Sequence, residues 1–146
     1  METAAQEQQY QRDIARIEAH KLALKDDEFG RLVEQVHQEV RAHERYLREE
    51  RGAAIALHDR DPLSATVENA DGLRSAVFTF NAVRYEVEVR GEGVHYLFAV
   101  AIDGYGKPVV TGRKYGQLIA ANIDMVITAV RHAIESVTDL PRPIVR

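Results

Sequence analysis

Cysteine is absent from this chain of 146 residues, which removes disulfides, thiolate nucleophiles, zinc-thiolate sites and iron-sulfur clusters together. Proline is scarce, with 4 residues in all, so long uninterrupted helices are permitted. A long apolar run is also missing. Val94 to Ile102 and Met125 to Val130 are the most apolar stretches, and both fall far short of the ~20 residues that span a bilayer. An excess of positive charge is missing as well. The 19 Lys plus Arg are outnumbered by 23 Asp plus Glu, for a net charge of -4, and 9 of the basic residues precede Gly52 while 10 follow it. No electropositive footprint for nucleic acid results. The first ten residues, METAAQEQQY, are polar and acidic and do not resemble a secretory signal, so a cytoplasmic location is expected. What is present is ordinary for a folded chain: 45% hydrophobic and 29% charged residues suffice for one compact domain, here with a helical extension.

From Ala4 to Glu50 there is no proline and one glycine among Gln, Glu, Arg, Ala and Leu, all strong helix formers. Tyr10, Ile14, Ile17 and Leu24 alternate at spacings of three and four, with Lys21 in the missing place. A second stripe, Phe29, Val33, Val36, Val40, His43 and Leu47, keeps the same rhythm but is out of phase by one residue. The slip falls at Lys25-Asp26-Asp27-Glu28-Phe29-Gly30, where Asp26 or Asp27 is able to cap a new helix. One long helix and a helical hairpin are both compatible with this pattern. Thin seams rimmed by Arg and Glu suit helix-helix packing, and a homodimer through these helices is expected.

Residues 52 to 63, GAAIALHDRDPL, read as a connector ending before Pro62. Ser64 to Asp71 offers a short edge strand. Val83 to Arg90 alternates apolar and charged residues at the strand period of two. A turn at Asn81-Ala82 places Phe80 opposite Val83 and Phe78 opposite Tyr85. A turn at Glu92-Gly93 places Val89 opposite Tyr96, Val87 opposite Phe98, Tyr85 opposite Val100 and Arg90 opposite His95. Pro108 to Gly112 forms the next strand. After Gly116 the period becomes helical, with Ile119, Ile123, Val126, Val130, Ala133 and Val137 on one side and Asp124, Thr128, Arg131 and Glu135 on the other. The expected fold is therefore α+β, with an N-terminal long helix or hairpin, an antiparallel meander of four to five strands, and a C-terminal helix packed on the sheet. Its divisions are a helical arm over 1–51, a connector over 52–63, sheet plus helix over 64–140, and a Pro-containing tail over 141–146.

No constellation of residues names a reaction. The six histidines include no pair four apart on a helix, and the one Glu-x-x-His, Glu34 and His37, lacks the second copy that a di-metal bundle requires. His132, Ser136 and Asp139 have the residue types of acyl transfer, but along one straight helix they point outward side by side and offer no oxyanion donors. No catalytic residue, metal ligand or cofactor is assigned. Thr111 to Gln117 carries two glycines beside Arg113 and Lys114, a place where backbone N-H groups and cations can hold an anion at the start of the last helix. Asn122 falls on the apolar side of that helix and, if buried, needs a hydrogen-bond partner. The outer sheet face combines Arg84, Glu86, Glu88 and Arg90 with Leu97, a mixture that suits coverage by a partner. The expected function is a non-catalytic protein-binding protein of chaperone, inhibitor, immunity or adaptor type. Its interaction candidates are Phe29, Val33, Val36, Val40 and Leu47 on the helix and Arg84, Glu86, Glu88 and Leu97 on the sheet. The alternative is a small-ligand or anion-binding domain, whether a binder or an enzyme, working in the gap between sheet and last helix through Arg113, Lys114 and Asn122.

Overall fold

A computed structural model describes residues 2–138. Helix α1 runs without a break over Glu2–Glu50, 49 residues, about 74 Å at 1.5 Å per residue. The hairpin alternative is thereby set aside. Asp26 and Asp27 do not cap a second helix, because no proline stops the first and the single Gly30 costs only about 1 kcal/mol in a helix interior. The phase slip is absorbed differently, as two stripes on one continuous rod that address different surroundings. The second stripe is in the core: Phe29, Val36, Val40 and Leu47 are buried, joined by Leu32, which lies deeper than the half-buried Val33. The first stripe stays outside, with Tyr10, Ile14 and Ile17 all exposed.

Seven strands follow in one antiparallel sheet whose spatial order is the chain order. They are β1 (Ile55–His58), β2 (Ser64–Asn69), β3 (Ser75–Asn81), β4 (Glu86–Gly91), β5 (Val94–Ile102), β6 (Pro108–Lys114) and β7 (Gln117–Ile119). The expected count of four to five misses β1, inside the supposed connector, and β7, where the last helix was expected to begin. Both are edge strands of four and three residues, too short for a period of two to register; pairing to a neighbour holds them. Consequently β2 is not an edge. The connector is also tied to α1, since Arg41 donates to the Asp59 carboxylate and holds its pKa below the usual value.

The β4–β5 register is as the Glu92-Gly93 turn requires, with Arg90 opposite His95, Val89 opposite Tyr96 and Val87 opposite Phe98. The β3–β4 register differs. Phe80 pairs with Val87 and Phe78 with Val89, because residues 82–85 form a four-residue loop rather than a two-residue turn. Asn81 Oδ1 accepts from the N-H groups of Val83 and Arg84, each at 3.0 Å, which closes the wider loop. The slide is by an even number, so the apolar side chains that stay within the two strands keep their face. Val83 is left 88% exposed, and Tyr85 takes a left-handed φ of 56°. Tyr85 is instead held by α1: its ring lies edge-on to Phe29 at 5.8 Å and under the Lys25 ammonium at 5.4 Å, and Asp26 beside its hydroxyl raises the phenol pKa.

Helix α2 spans Ile123–Glu135, capped by Asn122, whose side chain accepts from the Met125 N-H at 2.9 Å. Ile119 therefore belongs to β7 and not to the helix. The buried stripe is Val126, Ala129, Val130, Ala133 and Ile134, continued by Val137, while Asp124, Thr128, Arg131 and Glu135 are exposed. Both helices lie on the same sheet face. Between them and the sheet, Ala65, Val67, Ala76, Phe78, Phe80, Val87, Val89, Tyr96, Phe98 and Val100 complete one core. Glu44, 3% exposed, is ion-paired there with the Arg48 guanidinium at 3.0 Å. Asp139 and the expected tail at 141–146 lie outside the described residues.

Candidate functional site

With both helices on one face, the other face of the sheet is uncovered by any described element. Cross-strand pairing builds it in rows. Ser64, Thr79, Glu88, Leu97, Arg113 and Leu118 run side by side across β2 to β7, and Val77, Arg90 and His95 form the next row. Ala99 with Thr111, and Ala101 with Val109, extend it toward the β5–β6 loop. Glu88 sits at the centre. Its carboxylate lies 3.4 Å from Arg90 Nη2 and 3.3 Å from His95 Nε2. A concavity of about 280 Å³ opens beside it, lined by Thr79, Asn81, Arg84, Glu86, Glu88 and Leu97. The four sheet residues picked out as interaction candidates, Arg84, Glu86, Glu88 and Leu97, are thus brought to one place. Leu97 offers apolar area, the two glutamates offer carboxylates to a cationic group, and Arg84 on the loop offers a guanidinium to an anionic one.

The helix candidates are placed otherwise. Phe29, Val36, Val40 and Leu47 spend their area on the chain's own core, with Val33 packed beside them, so they present no free surface. Arg113 and Lys114 stand in the β6–β7 hairpin instead of at the start of a helix. Arg113 Nη1 donates to the Gly116 carbonyl at 3.0 Å, and the Lys114 ammonium lies over the Tyr96 and Tyr115 rings at 5.4 and 6.0 Å. Asn122 is exposed and engaged as the α2 cap, not buried beneath it. These three do not converge. Ser136 is structural: its hydroxyl donates to the Ala133 carbonyl at 2.6 Å and accepts from the Glu92 N-H at 2.9 Å, tying the end of α2 to the β4–β5 turn. His37 lies 4.8 Å from the Phe80 ring with Nε2 at 3.4 Å from the Pro62 carbonyl. Among the described residues no three His, Asp or Glu side chains gather as a metal would require, and no helix is long and apolar enough to cross a membrane.

Sequence reasoning missed one polar cluster, at the α1–α2 crossing. Arg131 Nε donates to Glu39 Oε1 at 2.6 Å, and His43 Nε2 lies 3.4 Å from Glu135 Oε1. The seam position of His43 is visible in the periodicity; that its neighbours come from α2 is not. Burial lowers the His43 pKa, against the pull of Glu135 and Glu39 and with a further push from Arg131. The folded chain therefore binds this proton more weakly than the unfolded chain does. Stability from His43 is fully present above its ordinary pKa of 6.5 and is lost as pH falls through the lower folded value. Thermal unfolding between neutral and mildly acidic pH tests this: His43→Gln is expected to lose less stability over that interval than the parent chain, and equal losses would reject the assignment. No family model, curated protein or solved structure matches this chain.

Proposed function

We propose that this chain is a non-catalytic protein-binding protein of the chaperone, inhibitor, immunity or adaptor kind, which engages its partner on the outer sheet face and pairs with a second copy through α1. The observation that carries the reading is the gathering of Arg84, Glu86, Glu88 and Leu97 around one concavity on an uncovered sheet. A sheet face that met only water would have little use for Leu97, Val77, Val109 and the 72%-exposed Leu118, whereas an interface uses apolar centres rimmed by charges. A cytoplasmic setting is part of the proposal, supported by a fold that packing holds together without disulfides.

The test is capture of a stoichiometric protein from source-cell lysate, followed by affinity measurement with the purified partner. Leu97→Asp is expected to weaken that affinity by about 10-fold or more, the loss typical of an interface centre, while circular dichroism and thermal midpoint stay at parental values. Glu88→Arg is expected to act in the same direction. A captured partner whose affinity neither substitution changes would remove the sheet face from the proposal.

A further inference from the structure

The reading above has α1 pair with a second copy, and the following rests on it. Only part of α1 is free to do so. Tyr10, Ile14 and Ile17 are 63%, 37% and 54% exposed, and with Lys21 and Leu24 they form the one apolar stripe of α1 that the core does not use. The charges along this stripe select an orientation. In a parallel, in-register pair, Glu7 would meet Glu7 and Lys21 would meet Lys21 within the seam, and on the flanks Asp13 would face Glu18. Like charges so placed repel. In an antiparallel pair with Ile14 opposite Ile17 of the second copy, the like-charge meetings disappear. Lys21 then lies against Tyr10, Glu7 beside Leu24, and the flanking Asp13 faces His20. Sliding this arrangement by one heptad in either direction restores a clash, Asp13 against Asp13 one way and Glu18 against Glu18 the other.

A second feature of the fold agrees with that register. The β5–β6 loop reaches the arm and leaves a cleft of about 480 Å³ lined by Arg16, Ile17, His20, Lys21 and Gly106. Ile17 and Lys21 are the two positions that the register places opposite Ile14 and Tyr10 of the second copy. We propose that the chain forms an antiparallel homodimer in which the arm of each copy lies along that of the other, and the Tyr10 ring of each enters the cleft between the other's arm and its β5–β6 loop. The ring is rigid and amphipathic, and the cleft wall includes Lys21, whose ammonium is held only by an exposed ion pair with Glu18 at 3.9 Å. Overlap from residue 2 to about residue 29 spans roughly 40 Å and ends where α1 enters its own core, so the two sheets lie at opposite ends of the pair.

The cysteine-free chain allows a direct test by disulfide trapping. Glu7→Cys and Leu24→Cys are made separately, in the full chain, at a facing pair that leaves Tyr10, Ile14, Ile17 and Lys21 intact. Oxidation of an equal mixture is expected to give the crosslinked heterodimer, and each variant alone to give none, since like positions lie about 25 Å apart along the axis. Sedimentation equilibrium is expected to give a dimer mass, and Ile14→Asp to weaken dimerisation by about 100-fold without changing the thermal midpoint of the isolated subunit, because Ile14 contributes nothing to the core. Efficient crosslinking of either variant with itself would overturn the antiparallel register while leaving arm-mediated pairing in place. A monomer mass at every concentration, or a dimer that Ile14→Asp does not weaken, would overturn both.

Discussion

Phe98→Ala is expected to bring the domain close to unfolding, with a loss of about 3–5 kcal/mol from a total that for such domains is only about 5–15. Phe98 is fully buried at the centre of β5, between Val87 on β4 and Gly112 on β6, and its ring stacks on Tyr96 at 5.8 Å. Gly112 has no side chain in the way: a Cβ there would stand 3.1 Å from Phe98 Cδ1 and 2.9 Å from Ala121 Cβ. The ring thus fills space left by its neighbour, and a rigid sheet cannot close around the void that alanine would leave. Urea denaturation provides the measurement, read as a fall in midpoint at unchanged slope. Val83→Ala, at a position 88% exposed, is the control and is expected to change stability by less than about 0.5 kcal/mol. Equal midpoints for the two variants would show that the sheet's inner face is not the core.

Gly91→Val is expected to act at one identifiable contact. A Cβ on Gly91 would meet Ser136 Oγ at 2.5 Å, the Ala133 carbonyl oxygen at 2.9 Å and Ala133 Cα at 3.0 Å. Two of these three atoms are helix backbone, so α2 must lift from β4 or the strand must bend. Overpacking of this kind costs typically about 1–3 kcal/mol, and the displaced Ser136 would also release the Glu92 N-H that it now accepts from. A total near 3 kcal/mol is expected, on the order of the two effects combined. Hydrogen exchange gives the sharper reading: amides of α2 should lose protection, while those of the β1–β2 pair, at the far edge of the sheet, should keep most of theirs. Gly93→Ala separates this from ordinary glycine strain. Gly93 has a φ of +68°, but a Cβ added there would have nothing within 4 Å, so its cost is confined to the left-handed backbone, about 1–2 kcal/mol. A Gly91→Val loss no greater than that of Gly93→Ala would mean that α2 is not held as described.

The consequences of the α1–α2 crossing depend on the same packing. Arg131 and Glu135 project from α2 onto Glu39 and His43 of α1, so the pH dependence assigned to His43 requires both helices to stay on one sheet face. Lifting α2 by Gly91→Val is therefore expected to abolish that pH dependence together with the helix protection. The outer face responds independently, since it shares strands but no side chains with the core.

Much of this architecture is legible in residue periodicity. The alternation from Val83 to Arg90 marks a strand with one buried face, and the Glu92-Gly93 turn aligns Arg90 with His95 and Val87 with Phe98, because a tight turn between two patterned strands admits few registers. The apolar stripe from Val126 to Val137 likewise identifies the covering helix. Strand faces hold even where the β3–β4 register does not, since pairing Phe80 with Val87 rather than Val83 slides the strand by an even number and leaves the side chains that remain in the strands on their side. For that reason the strand period alone groups Glu86, Glu88 and Leu97, whereas Arg84 joins them from the 82–85 loop. Periodicity misplaces Asn122 on the helix stripe, because a helix that begins at Ile123 and one that begins after Gly116 share the same downstream rhythm.

Local sequence by itself determined where the helical and alternating segments lie and, within the segments that stay regular, which side chains share a face, because these follow from propensity and from periods of 3.6 and 2. Tertiary structure alone decided the rest. It recruited Ile55–His58 and Gln117–Ile119 as edge strands, which pairing stabilises more than their own composition does. It settled that α1 continues through Asp26-Asp27, because docking of Phe29, Leu32 and Val36 on the sheet outweighs the weak capping preference of an aspartate. And it divided the two stripes of α1 between the core and the surface, since a finite sheet can cover only the part of a 49-residue helix that lies across it.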